Sequence, residues 1–127
     1  MLLKVENLNK SFQIDNQTTK ILDNLSFSIS SNEITSIYGA SGSGKSTLLN
    51  IISGLMLPDS GAITFNNELM NNNFDFINFR KKDLGIVFQE DYLLAEFTAI
   101  ENVMLPCLIA GNSRKKSYDK AYSLLDK

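Results

Sequence analysis

The chain has no histidine, no tryptophan and a single cysteine among its 127 residues. The lack of histidine excludes imidazole catalysis and disfavours a zinc site. Cys107 cannot form a disulfide within the chain, which suits a reducing compartment. Basic charge is not in excess either, because 12 lysines and arginines face 14 acidic residues, for a net charge of −2. The sequence therefore offers no basic surface typical of a nucleic-acid partner.

Long hydrophobic runs are also lacking. The two longest apolar stretches, residues 48–57 and 103–111, fall well short of the roughly 20 residues that a membrane span needs. Residues 1–10 contain no apolar core typical of a signal peptide. With 43% hydrophobic residues, the composition favours one soluble globular domain. We expect contact with a membrane only through a partner.

The first third of the chain has the pattern of strands. Loose alternation predicts a strand at residues 2–8, and clear alternation of Leu25, Phe27 and Ile29 predicts another at 21–30. The polar residues 13–20 indicate a hairpin loop between them. A further strand is predicted at residues 32–39.

The spacing of apolar residues changes at Lys45, where leucines and isoleucines at helical intervals predict a helix. Pro58 prevents this helix from continuing. A short strand at residues 62–65 follows, a turn is predicted at Asn66 and Asn67, and then a polar region, 68–83, is interpreted as loop with a possible helix. The continuous apolar run at 84–89 is typical of a strand buried on both faces.

Two helices are predicted in the rest of the chain. Thr98, with Glu101 three residues later, predicts the start of a helix that Pro106 should end or kink. Residues 113–127 are amphipathic and predict a last helix. The alternation of strands and helices indicates an α/β fold. Only two buried parallel strands are visible, at 32–39 and 84–89, so we expect a domain that is cut short.

The one dense glycine cluster precedes a lysine and a helix. Gly39, Gly44, Lys45 and Ser46 satisfy the P-loop pattern G-x-x-x-x-G-K-[ST]. Glycines let the backbone approach a ligand closely, and the loop N–H groups form an anion nest at the positive end of the following helix. The predicted phosphate cradle comprises Gly39, Ala40, Ser41, Gly42, Ser43, Gly44, Lys45, Ser46 and Thr47.

Within this cradle, Lys45 should reach the β- and γ-phosphates of a nucleotide, and the Ser46 hydroxyl should bind Mg²⁺. The structural alternative is a turn of small residues that merely caps a helix. The P-loop pattern alone permits kinases, GTPases and transport ATPases.

Four segments narrow this choice: "VENLNKSF", "ILDNLSFSI", "GASGSGKSTLLNIISGLMLPDSGAITF" and "GIVFQ". In this order and at this spacing, the chain resembles the ATP-binding cassette (ABC) ATPases along nearly its whole length. Residues 79–111 are similar to the lipoprotein-releasing (LolD-type) ATPases within that family, and to the MacB-type exporters. The resemblance implies a P-loop NTPase of the ABC type with ATP and Mg²⁺ as ligands.

The resemblance also assigns roles outside the cradle. Phe12 matches the aromatic residue that stacks on adenine, which is often tyrosine in the family. Gln89 matches a glutamine that binds Mg²⁺ and senses the γ-phosphate or attacking water, so Lys45 and Gln89 are the catalytic candidates. Residues 90–97 would touch the membrane subunit. The alternatives are that Phe12 and residues 92–97 are ordinary core, and that Gln89 is merely a polar residue at a strand end.

The family's signature segment, its acidic strand with the catalytic glutamate and its switch histidine are not found in the sequence. We therefore expect residues 1–127 to be the N-terminal part of an ABC ATP-binding domain, with the nucleotide-binding core at 1–89 and the start of the helical subdomain at 90–127. This length should hydrolyse essentially no ATP alone.

The family resemblance implies an ATPase subunit on the cytoplasmic face of the inner membrane. It would form a homodimer, bind integral membrane transporter subunits and drive lipoprotein release or export. Two alternatives stay open: a soluble ABC ATPase outside transport, and a nucleotide-binding fragment without hydrolysis.

Overall fold

A long hairpin opens the fold in the computed structural model, which describes residues 1–126. Strand β1, Leu3–Ile14, pairs antiparallel with strand β2, Gln17–Ile29. Asp15 and Asn16 join them with φ angles of 49° and 63°, the left-handed region that a tight two-residue hairpin turn requires. The predicted hairpin is confirmed, but its loop consists of Asp15 and Asn16 rather than residues 13–20. Polar side chains can pair across a hairpin as well as apolar ones, and Gln13 donates to the Thr18 hydroxyl at 2.8 Å.

Strand β1 is also paired on its other edge. Strand β3, Ser60–Phe65, lies antiparallel to β1, and the short strand β4, Glu68–Leu69, completes a sheet in the order β2-β1-β3-β4. Asn66 and Asn67 make the predicted turn between β3 and β4, with φ angles of 47° and 66°. Every pairing in this sheet is antiparallel.

Helix α1, Lys45–Ile52, packs on the sheet. Its buried residues, Leu48 and Ile51, are three positions apart and so lie on one face. They share a core with residues of β1, β2 and β3, namely Leu3, Val5, Leu8, Leu22 and Ile63. Burial of each such side chain contributes about 1.5–3 kcal/mol, so this core attaches α1 firmly to the sheet.

The two predicted parallel strands are not formed. Residues 33–40 and 84–88 have no regular structure, and the side chains of Ile34 and Val87 are 98% and 99% exposed. A strand exists only when a neighbour accepts and donates its backbone hydrogen bonds. Among residues 1–126 neither segment has such a neighbour, so their apolar sequence alone does not make them strands.

The chain divides into two compact units, Met1–Phe76 and a second that begins at Ile77. Helix α2, Phe76–Lys82, starts at this boundary and confirms the possible helix within 68–83. The second unit contains helices α3, Ala99–Ile109, and α4, Arg114–Leu125, which pack on each other. No helix among residues 1–126 is long and apolar enough to cross a membrane.

Helix α3 begins as predicted but does not end at Pro106. The Thr98 hydroxyl accepts from the Glu101 amide, and the Glu101 carboxylate accepts from the Thr98 amide at 3.0 Å, which is a capping box. Beyond Pro106 the helix continues to Ile109, because the Ala110 amide donates to the Pro106 carbonyl at 3.0 Å and closes one more turn.

Candidate phosphate-binding site

The glycine cluster forms a tight loop that enters α1. The Ser43 amide donates to the Ala40 carbonyl at 3.2 Å, and the Leu48 amide donates to the Gly44 carbonyl at 2.8 Å as the first helical bond. Residues 39–43 are all exposed. The P-loop turn and its helix are therefore present, although the strand expected before them is not.

Gly44 must be glycine for two reasons. Its φ of 90° lies in the left-handed region, which disfavours residues with a Cβ. In addition, a Cβ at this position would lie 2.8 Å from Cγ2 of Ile21 and 3.1 Å from Cδ2 of Leu22. The end of the loop therefore rests directly on β2, which fixes the start of α1 against the sheet.

The ammonium group of Lys45 lies over the loop. Its Nζ donates to the carbonyls of Gly39 and Ala40 at 2.8 and 2.7 Å, and to the Ser43 hydroxyl at 3.4 Å. These partners are neutral oxygens, so they leave the positive charge uncompensated. A phosphate oxygen would provide a stronger, charge-assisted hydrogen bond than any of them.

The N-terminus of α1 adds a second positive field. Gly44 is its N-cap, no side chain caps it, and its first turn contains no acidic residue. The unpaired N–H groups and the helix dipole therefore remain available to an anion. Loop, lysine and helix end converge on one place, which is the arrangement that binds phosphate.

Ser46 and Thr47 follow in the first turn of α1, with Ser46 exposed and Thr47 half-buried. No group of three or more carboxylate, cysteine or histidine side chains that could hold a metal occurs among residues 1–126. A single hydroxyl such as that of Ser46, beside a phosphate-binding loop, fits Mg²⁺, because this ion is commonly held by few protein ligands together with substrate phosphates and water. It does not fit a metal held by protein ligands alone.

Phe12 lies near the turn of the β1–β2 hairpin, half-buried and opposite Thr19. The Lys10 ammonium lies over its ring, 5.5 Å from the centroid. Because Gly44 rests on Ile21 and Leu22 of the same hairpin, the hairpin carries Phe12 and also supports the phosphate loop.

Gln89 belongs to the second unit and lies exposed in a bend. The prediction that it ends a buried strand is wrong, because residues 84–88 form no strand. Its role at the Mg²⁺ and γ-phosphate stays a prediction.

The candidate partner loop, residues 90–97, exposes much of its apolar surface, with Tyr92 and Leu93 at 71% and 69%. Sequence reasoning missed how this loop is held. The Asn102 amide group donates to the carbonyls of Leu94 and Phe97 at 3.1 Å and accepts from the Leu94 amide at 2.8 Å. An amide with two donors and an acceptor can tie a loop to a helix in this way.

The fold and the glycine-rich loop before α1 together define a protein of the P-loop, nucleoside-triphosphate-binding class. Residues 22–127 match the family described as ABC transporter. The chain belongs to this family, as its resemblance predicted.

Curated relatives share nearly the whole chain. The lipoprotein-releasing system ATP-binding protein LolD of Treponema denticola is 45% identical over 98% of this chain, and that of Buchnera aphidicola is 41% identical over 100%. A putative hemin import ATP-binding protein, HrtA, of Staphylococcus haemolyticus is 39% identical over 99%. The chain spans just over half the length of these relatives, 56%, 57% and 58% respectively.

Solved structures agree with the fold. The ATP-binding cassette MJ0796, in a dimeric post-hydrolysis state bound to ADP and Pi, is 33% identical with a TM-score of 0.88 over 98% of this chain and 56% of that one. A second dimeric structure of MJ0796 gives a TM-score of 0.89. The mixed α/β fold of an ABC cassette is thereby confirmed, even though its two parallel strands are not formed here.

Proposed function

We propose that this chain is part of the ATP-binding subunit of an ABC transporter, which couples ATP binding and hydrolysis to transport. The observation that carries the proposal is the uncompensated Lys45 ammonium above the loop carbonyls, at the uncapped N-terminus of α1. Both features attract the polyphosphate of a nucleotide rather than a neutral ligand.

In this proposal Lys45 binds the β- and γ-phosphates, and the loop amides of residues 40–44 bind the oxygens around them. The ring of Phe12 stacks on adenine. Ser46 would hold Mg²⁺, which would neutralise charge on the phosphates when bound. Gln89 is assigned to Mg²⁺ by the family resemblance alone.

Lipoprotein release is the transport process that we propose, because several relatives at 40–45% identity carry that description. Two ATP-binding subunits would form a dimer, as MJ0796 does, and would bind integral membrane subunits on the cytoplasmic face of the inner membrane. The exposed apolar side chains of residues 90–97 support a protein partner at that loop.

The domain boundary is also a proposal. Residues 1–89 would supply the nucleotide-binding core and 90–127 the start of the helical subdomain.

The test is release of a radiolabelled lipoprotein from inner-membrane vesicles that contain the full-length protein and its membrane subunits. We expect release to require Mg-ATP and to stop in the Lys45→Ala variant. ATP hydrolysis without a co-purifying membrane subunit would favour a soluble ABC ATPase instead. Binding without hydrolysis in the assembled complex would favour a non-hydrolysing nucleotide-binding protein.

A further inference from the structure

The ring of Phe12 has a charged neighbour on its own strand. Lys10 and Phe12 are two residues apart in β1, so their side chains lie on the same face of the sheet. The Lys10 Nζ lies over the ring, 5.5 Å from its centroid. This is within the range of a cation–π interaction.

Lys10 is itself held in place. Its Nζ donates to Oδ1 of Asp59 at 2.8 Å, and only 16% of its side chain is exposed. A lysine with one fixed partner and little exposure loses most of its rotamer freedom, so its position above the ring is defined by the fold.

Asp59 is anchored to β1 by its backbone and its side chain. Its amide donates to the Asn9 carbonyl at 2.9 Å, and its Oδ2 accepts from the Ser11 amide at 2.7 Å. The hydrogen bond from Lys10, and then that from Ser11, lowers the pKa of Asp59 below its ordinary 3.8. The carboxylate is therefore ionised at neutral pH and keeps Lys10 in place.

The same hairpin connects this group to the phosphate loop. Lys10 is opposite Leu22 in β2, and Phe12 is opposite Thr19. Leu22 is one of the two residues on which Gly44 rests. Lys10, the Phe12 ring and the residues that contact Gly44 thus lie within one short stretch of the hairpin.

We infer that Lys10, held by Asp59, is a positioning residue that fixes the Phe12 ring for a purine base. The inference rests on the proposed stacking of adenine on Phe12. The lysine lies over one face of the ring, so the base would stack on the opposite face. Because the ring is oriented before the nucleotide arrives, less conformational freedom is lost on binding.

The test compares two ligands of the full-length protein by calorimetry: Mg-ATP, which has a base, and Mg-tripolyphosphate, which has none. In Lys10→Met we expect ATP affinity to fall about three- to tenfold, the effect of having to immobilise one side chain on binding. Tripolyphosphate affinity should stay within about twofold. Asp59→Asn should show the same selective loss. Lys10→Arg, which keeps the positive charge, should bind ATP like the wild type.

Lys4→Met is the matched control, because Lys4 is a paired lysine on the same strand, 2.6 Å from Glu6, and its loss changes the net charge equally. It should change neither affinity. In a Phe12→Ala background, Lys10→Met should cause no further loss of ATP affinity, since the lysine acts through the ring.

Equal losses for ATP and tripolyphosphate in Lys10→Met would overturn the inference, because they would indicate a general effect of charge. A loss that persists in the Phe12→Ala background would overturn it as well. If Lys10→Met does not fold, Asp59→Asn decides by the same criteria. The proposed function fails separately, if Lys45→Ala leaves binding of both ligands unchanged.

Discussion

The contact between Gly44 and β2 makes this residue the most sensitive single position of the loop. A Cβ there would be strained by the φ of 90° and would also press on Ile21 and Leu22. We expect Gly44→Ala to lower the free energy of unfolding by about 2–5 kcal/mol, from backbone strain together with overpacking. Urea denaturation of the full-length protein measures this change.

Gly111→Ala provides the matched comparison. Its φ of 87° is nearly the same, but a Cβ there would meet nothing within 4 Å. Its cost should therefore be backbone strain alone, about 1–2 kcal/mol. Equal losses at the two glycines would contradict this account, because they would show that a Cβ at position 44 does not press on β2.

At the residue scale, the sequence predicts the loop better than its surroundings. The motif from Gly39 to Ser46 predicts the turn, the lysine and the helix start, because their geometry depends on neighbours in sequence. The placement of Lys10 by Asp59 could not be predicted, since 49 residues separate the two. The one available signal was the two-residue spacing of Lys10 and Phe12 on a strand.

At the element scale, the capping box of α3 gives a pH-dependent contribution to stability. The hydrogen bonds from the amide and the hydroxyl of Thr98 lower the pKa of Glu101 below its ordinary 4.5. A carboxylate with a lowered folded-state pKa stabilises the helix fully above pH 4.5, and this stabilisation is lost as the pH falls through the lowered pKa.

We expect Glu101→Gln to remove this pH dependence. The difference in thermal midpoint between variant and wild type should be constant above about pH 5 and should shrink as the pH falls below 4.5, because both proteins then carry a neutral group. Glu96→Gln, which removes an exposed carboxylate outside the cap, is the control. A Glu101→Gln difference that stays constant down to pH 3 would contradict the assignment.

Structural elements that depend only on residues close in sequence were predicted correctly. The hairpin turn at Asn66 and Asn67, the helix from Lys45 and the cap at Thr98 each depend on residues close in sequence, and all three are formed. The segments at 32–39 and 84–89 failed because a parallel strand depends on partners distant in the chain. Their apolar patterns indicate burial, but they do not show which other segment would pair with each strand.

At the scale of the whole molecule, the exposed apolar segments and the proposed phosphate cradle lead to one expectation. A polypeptide of residues 1–127 should turn over no more ATP than its Lys45→Ala variant, because among residues 1–126 no carboxylate ends a strand beside the proposed cradle to position water. The full-length protein should turn over ATP well above its own Lys45→Ala variant. Malachite-green phosphate release measures both.

Amide hydrogen exchange compares the structure of the same two proteins, the 1–127 polypeptide and the full-length protein. In the 1–127 polypeptide, the amides of residues 34–38 and 85–88 should exchange rapidly, because these segments form no strand among residues 1–126. In the full-length protein the same amides should be protected. Turnover by the short polypeptide above its variant would show that its own residues suffice for hydrolysis.

The most direct test of the central claim, that residues 39–47 bind the phosphates of ATP through Lys45, is calorimetric binding of Mg-ATP to the full-length protein and its Lys45→Ala variant. Loss of a charge-assisted hydrogen bond should weaken binding by at least about 10- to 100-fold. The variant should still fold, with a thermal midpoint lowered only modestly, because it loses the exposed hydrogen bonds from Nζ to the Gly39 and Ala40 carbonyls while alanine favours the helix. Lys120→Ala, on the exposed surface of α4, should bind like wild type. Equal ATP affinity in Lys45→Ala and Lys120→Ala would contradict the claim.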